Sequence, residues 1–276
     1  MTSHGLPTCL AIAAFAAFPA IAFAQFTTIP LNTTPIPNSN LRAYTAGNNY
    51  PIAPTTLTIG GVPFDLSPLA GTPNSLGVAQ TLNTALQFSL PTNVFGVSKV
   101  YTLMNSGWGQ NGAQNGRLEF YGTNGAFASF NLVQGINIRD HWTAYNQVIT
   151  DPTIVTTNFG GGTRLDRQTF TLPSSFLTET LTEVRLVATN PGNPQGAVFL
   201  AAATVEVPVP ACDSIDFNGD GLFPDTADID DFLSVFSGGP CSTGACGDVD
   251  FNNDGLFPDT LDIDSLLSVF SGGACL

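Results

Sequence analysis

The stretch DFNGDGLFPDTADIDDFLSVFSGG at 216–239 is written again as DFNNDGLFPDTLDIDSLLSVFSGG at 250–273, a constant offset of 34 residues with 20 of 24 positions identical. Such repetition says that one small unit has been built twice. The acid is concentrated in the same place. Residues 212–276 hold 13 of the 21 Asp and Glu and none of the seven Lys and Arg. The remaining eight acids and all seven bases lie between residues 25 and 211, so that stretch is close to neutral and the formal charge of −14 belongs to the tail. No basic stripe exists to hold a phosphate backbone, so a nucleic-acid partner is not expected.

The repeated acids are spaced rather than blocked. Asp216, Asn218 and Asp220 occupy alternate positions and Gly221 follows; Asp250, Asn252, Asp254 and Gly255 repeat this. Hard oxygen ligands two residues apart, then a glycine for a sharp turn, are the opening of a calcium loop. The next ligand would be the carbonyl of Leu222 or Leu256. The position at which such a loop normally closes is held by Ala227, and Asp228 follows it. With one residue inserted, Asp228 closes the first loop and Asp262 the second. The spacing beyond predicts an amphipathic helix in each copy, with Ile229, Phe232, Leu233 and Phe236 on one face, and Ile263, Leu266, Leu267 and Phe270 on the other copy's. Gly238 and Gly239 end the first. The expected cofactor is therefore calcium, two ions.

Four of the five cysteines also repeat, Cys212 with Cys246 and Cys241 with Cys275. Without a CxxC pair or a nearby His, zinc is a poor reading. Four cysteines in a small module with two short helices read as disulfide staples, with three possible connectivities. The pairing that brackets each unit, Cys212–Cys241 with Cys246–Cys275, is the favoured expectation.

Two calcium loop–helix units in tandem, with no entering helix, resemble a type I dockerin. With the flanking cysteines and the FLSVFSGG helix end, the tail is similar to the GC-type dockerin domains of secreted bacterial proteins. The resemblance implies attachment of a cargo domain to a cohesin-like protein or another scaffold or surface protein. It also implies that partner choice is read just before the closing ligand, at Asp225-Thr226 and Asp259-Thr260. These pairs are identical in the two copies, which would allow two related binding orientations.

At the other end, LPTCLAIAAFAAFPAIAFA is an apolar run finishing in Ala22-Phe23-Ala24, the small-x-small pattern of a leader-peptidase site. Residues 1–24 are expected to be a signal peptide, with Gln25 the first mature residue and Cys9 removed. Pro19 and the shortness of the run argue against a membrane span, and no other segment is long enough for one. Disulfides and calcium both fit a secreted, extracellular or surface-attached protein.

Residues 25–206 are long enough for one sizeable domain, and VPVPA at 207–211 reads as a linker. Short alternating runs between turn signals mark candidate strands at 57–64, 85–90, 99–104, 117–121, 127–133, 153–159, 167–172, 181–188 and 197–207. The expected fold class is mainly β: a β-sandwich or jelly roll, followed by the small α-helical calcium module. GVSKVYTLMNSGWG, GRLEFYGTNG and LDRQTFTLP give the middle region a resemblance to galactose-binding-like carbohydrate-binding sandwiches, from which no ligand residue transfers.

Three readings of this domain stand open. As a hydrolase it would need His141 beside Asp140 in a triad, or two carboxylates from Glu119, Asp140, Asp151 and Asp166 across a sugar. A lone His, a Glu in an alternating strand and an Asp between Arg164 and Arg167 are more ordinary as structural positions, so no catalytic residue is assigned. As a polysaccharide-binding domain it would use Trp108, Trp142 and Tyr145, in turn-rich stretches with Asn105, Asn111, Arg139 and Asn146 nearby; the plain alternative is that both Trp are core anchors. As an adhesin or surface-layer component it would need no small ligand.

Overall fold

The computed structural model describes residues 24–31, 38–40, 50–51, 55–66, 77–80, 87–189, 197–208, 212–222, 225–256, 258–273 and 275–276. Residues 1–23 of the expected leader and residues 209–211 of the expected linker lie outside them. The chain divides into a unit of Ala24–Pro208 and a second unit that contains Val209–Leu276.

The first unit is mainly β, with strands β1 (Ala24–Ile29), β2 (Asn38–Asn40), β3 (Thr55–Ile59), β4 (Val62–Leu66), β5 (Gly77–Gln80), β6 (Gln87–Phe95), β7 (Lys99–Gly107), β8 (Gln114–Gly122), β9 (Phe127–Val133), β10 (Val155–Phe159), β11 (Thr163–Thr171), β12 (Thr180–Ala188) and β13 (Ala197–Pro208). All the strand ladders are antiparallel. One sheet runs β10-β11-β7-β13-β5-β2, with β1 also on β13, and a second runs β6-β12-β8-β9. Phe88, Leu90, Leu118, Phe120 and Leu186 of the second sheet share a core with Val100, Met104, Phe170 and Leu200 of the first. Two facing sheets with one core between them are the sandwich-like arrangement that the alternating runs led us to expect.

The larger sheet is covered on its other face too. Ile59, Val62, Phe64, Leu66 and Tyr50 pack on Tyr101, Leu103, Leu165 and Phe199. This is why β13 can write AVFLAAATVEVP, with ten consecutive buried residues, where a strand wetted on one side would alternate. The covering layer is the β3–β4 hairpin, where the sequence reading had expected one continuous strand at 57–64. Gly60 (φ +58°) and Gly61 (φ +82°) form its two-residue turn. Positive φ at both central residues suits the right-handed twist of the flanking strands and favours glycine. The domain boundary also shifts: Val207 and Pro208, read as linker, complete β13 and pair with Gln25 and Ala24.

The second unit holds α1 (Thr226–Phe236) and α2 (Thr260–Phe270), separated by the same 34-residue offset as the sequence repeat. Its core is Phe217, Phe232, Val249, Phe251 and Leu266. The Phe232 ring meets Phe217 of its own copy at 5.1 Å and Phe251 of the other at 6.1 Å. Neither Leu233 nor Leu267 joins the buried face as expected; both are exposed, because the inward stripe runs through Asp228, Asp231 and Phe232, and through Asp262, Ser265 and Leu266.

The disulfide pairing differs from the expectation as well. Cys212 is joined to Cys275 and Cys241 to Cys246. The reason is a crossing of the two copies. Asp213 donates its backbone N–H to Phe251 at 2.9 Å, and Gly247 donates its own to Phe217 at 2.9 Å. These two bonds are equivalent under the 34-residue offset, so the opening segment of each copy lies against the loop of the other. The opening cysteine of each therefore meets the closing cysteine of its neighbour, with Cα–Cα separations of 5.5 and 5.8 Å. Closing a loop of 63 residues with Cys212–Cys275 stabilises so small a module by about 4 kcal/mol in the chain-entropy picture.

Candidate functional site

The two acidic loops have nearly the same hydrogen bonding. In the first, Asp216 Oδ2 accepts from Gly221 N at 3.0 Å, Asn218 Oδ1 from Asp220 N at 3.1 Å and Asp220 Oδ1 from Leu222 N at 2.8 Å. In the second, Asp250 Oδ2 accepts from Gly255 N at 3.0 Å, Asn252 Oδ1 from Asp254 N at 3.1 Å and Asp254 Oδ1 from Leu256 N at 2.8 Å. The closing carboxylates are fully buried. Asp228 Oδ1 faces Asn218 N at 3.4 Å, and Asp262 Oδ1 faces Asn252 N at 3.5 Å.

The structure thus brings Asp228 and Asp262 each back over its own loop. It does not gather the three carboxylates of either loop within 4.8 Å of one another. Asp216 Oδ1 is buried with no hydrogen-bond partner among the described residues. A buried carboxylate oxygen without a hydrogen-bond partner is a group that a hard cation would satisfy. Asp231, Cys241 and Cys246 also lie close together, but the sulfurs are bonded to each other and Asp231 accepts from Ser242 N and Oγ. That cluster is a braced turn.

Asp225 and Asp259 are helix N-caps. Asp225 Oδ1 accepts from Ala227 N at 2.8 Å and Asp259 Oδ1 from Leu261 N at 2.7 Å, each completing a capping box with Asp228 or Asp262. Their repetition has a local cause. What repeats without one is exposed: Thr226 and Thr260, and the leucine pairs Leu222/Leu256 and Leu233/Leu267.

In the β unit, the aromatic residues singled out from the sequence sit beside a buried charge network. Trp108 follows β7 in a left-handed conformation, φ +52°, and its side chain is 57% exposed. Tyr145 is 56% exposed, and Asn146 after it is also left-handed at φ +37°. Trp142 is half-buried. Asp140, fully buried, accepts from Trp108 N at 2.7 Å with one oxygen and from Trp142 N at 2.7 Å with the other. Burial raises its pKa, against the pull of those two N–H groups and of Arg164. Arg164 donates to the carbonyls of Asp140, Trp142 and Tyr145 at 2.9, 3.1 and 3.2 Å. The Asn146 side chain donates to Gly109 O, tying the two loops together.

Asn105 and Arg139, expected near a ligand, are instead interior. Arg139 grips the fully buried Asp166 through two bonds of 2.7 and 2.9 Å, and Asn105 donates to the same carboxylate at 2.9 Å. Sequence reasoning missed Arg164 and Tyr50. The Tyr50 hydroxyl donates to Arg164 O at 2.9 Å and meets His141 Nδ1 at 3.1 Å. An arginine opening a strand beside GGGT carries no pattern that marks a loop clamp.

The candidate catalytic groups are each engaged by neighbouring residues. Burial, then Arg164, lowers the His141 pKa to about 4, and the neighbouring Asp140 carboxylate turns to the tryptophan N–H groups. Burial pushes Glu119 up, but the Tyr121 hydroxyl and Arg117 outweigh it and hold the carboxyl below its usual value. Glu119 lies on β8 and Asp166 on β11, in different sheets. Asp151 accepts from Thr153 N and Oγ1. A shallow trough of about 630 Å³ opens at the β3–β4 turn, with Lys99, Tyr101, Arg167 and Thr169 in its lining. Glu206 beside it is bound by Lys99 and Tyr101.

Among the described residues no helix is long and apolar enough to cross a membrane. No family model and no curated protein matches this chain.

Proposed function

We propose that this is a secreted, non-catalytic protein whose β domain is held at a scaffold or cell surface by a calcium-dependent, dockerin-like tail. Asp216, Asn218, Asp220, the Leu222 carbonyl and Asp228 take one ion; Asp250, Asn252, Asp254, the Leu256 carbonyl and Asp262 take the other. The observation that carries this reading is the duplicated loop geometry, with a buried closing carboxylate in each copy and an orphaned Asp216 oxygen in the first. Calcium supplies the positive charge that lets three carboxylates share one loop. The partner is a cohesin-like or other surface protein, met on faces that carry Thr226 and Leu233 in one copy and Thr260 and Leu267 in the other. The leader is cut after Ala24, which leaves β1 its pairing from Gln25↔Val207 onward.

For the β domain we favour glycan binding over the adhesin and hydrolase readings, because Trp108 and Tyr145 lie outside the core. The test of the tail is retention of the full-length oxidised protein on the producer's cell envelope, with millimolar calcium and after chelation. The proposal expects retention with calcium only, and its loss in an Asp220→Ala, Asp254→Ala double variant. Retention that survives chelation overturns it.

A further inference from the structure

We propose that Trp108 and Tyr145 form a preorganised platform on which the sugar rings of a neutral polysaccharide stack. This rests on the reading of the β domain as glycan-binding and gives that reading a place and a ligand chemistry. Both side chains are more than half exposed although large aromatics usually contribute to cores. The Trp108 backbone is also costly to hold. A tryptophan at φ +52° is a genuine outlier, and Asn146 beside Tyr145 is left-handed as well. Strain of this kind persists only where the surroundings over-determine it, and it clusters at ligand sites.

The surroundings here do over-determine it. Asp140 and Arg164 are buried charges whose side-chain hydrogen bonds, among the described residues, hold these loops. Asp140 takes the N–H groups of Trp108 and Trp142, and Arg164 takes the carbonyls of Asp140, Trp142, Tyr145 and Asn146. Asn146 then links its loop to Gly109. A Cβ at Gly109 would sit 2.2 Å from Gln134 Oε1, so the chain next to Trp108 lies directly on the interior. The backbone that carries the two rings is held in place before any ligand arrives, which removes an ordering cost that a mobile loop would bear on binding.

The chemistry of the rim selects the ligand. Within three residues of Trp108 and Tyr145 in the sequence, the exposed polar side chains are Gln110, Asn111 and Gln147, all amides. The charged groups of the region, Arg139, Asp140, Arg164 and Asp166, are buried. Aromatic faces meet the C–H face of a sugar ring, and amides pair with its hydroxyls. An anionic glycan would need an exposed cation here, and an anionic membrane would need a basic flank.

The experiment is affinity electrophoresis and calorimetry of the full-length protein against neutral polysaccharides (β-glucan, mannan, xylan, galactan), with a polyuronate and phosphatidylcholine vesicles alongside. At least one neutral glycan should bind. Trp108→Ala and Tyr145→Ala should each weaken it tenfold or more, while Phe127→Ala, at another exposed aromatic on β9, should not. Trp108→Gly should abolish binding and raise Tm, because glycine relieves the left-handed strain. Unchanged glycan affinity in the Trp108→Ala, Tyr145→Ala double variant overturns the platform while leaving glycan binding standing. Failure of the wild type to bind any neutral glycan overturns both, as does binding to vesicles alone that the double variant loses.

Discussion

Between pH 7 and pH 5, acid should destabilise the β unit chiefly through His141. His141 is buried, and its folded pKa is lowered from 6.5 to about 4. Between those values the unfolded chain binds a proton that the folded chain refuses, so stability falls as the pH falls through the window. At 1.36 kcal/mol per unit, the whole shift amounts to about 3 kcal/mol, of which about 2 is lost between pH 7 and pH 5. Glu119, Glu183 and Glu206 are held below their usual value, so their contributions disappear only at lower pH. Asp140, raised by burial, works in the opposite direction. The assay is urea unfolding followed by tryptophan fluorescence, which reports this unit alone because both tryptophans lie in it. His141→Gln should be less stable at pH 7 for want of the Tyr50 bond, and flat from pH 7 to 5. A wild-type slope no steeper than that of the variant would refute the reasoning.

Two further outcomes are expected. Arg139→Met strands Asp166 in the interior and should cost about 3–5 kcal/mol in the same unfolding assay, the range for breaking a buried pair; a loss under 1 kcal/mol would show that water reaches that carboxylate. Peptide mapping of oxidised protein should find Cys212 linked to Cys275 and Cys241 to Cys246; a Cys212–Cys241 peptide would contradict the crossed packing of the repeats.

The repeat was legible because it is local. Loop, cap, helix and glycine stop all lie within 24 residues, and α1 and α2 appear where the pattern placed them. The disulfides were not, because their pairing depends on how one copy lies against the other, which no spacing within a copy records. Among the strands, 127–133 was read to the residue, since FASFNLV alternates on a sheet wetted on one side. LTIGGVPF was read as one strand because its apolar residues continue across Gly60-Gly61; the turn lies in two φ angles, not in the hydrophobic pattern. β1, β2 and β5 were missed, being short or hidden in Thr-, Asn- and Pro-rich text. At the aromatic site, the rings were visible in the sequence, but their supports were not. Asp140 and Arg164 are 24 residues apart and act together only once Arg164 Nε reaches Asp140 O.

The central claim is that each repeat takes a calcium ion, and calorimetric titration of the full-length oxidised protein with calcium tests it most directly. The wild type should bind two ions, with affinities on the order of 10⁻⁴–10⁻³ M as in extracellular modules. Calcium at about 100 times Kd should stabilise the tail by about 2.7 kcal/mol per site through mass action. Asp220 and Asp254 are exposed and support no core, so Asp220→Ala or Asp254→Ala alone should leave one ion and the double variant none. One ion or none in the wild type, or a double variant that binds calcium as the wild type does, would contradict the account.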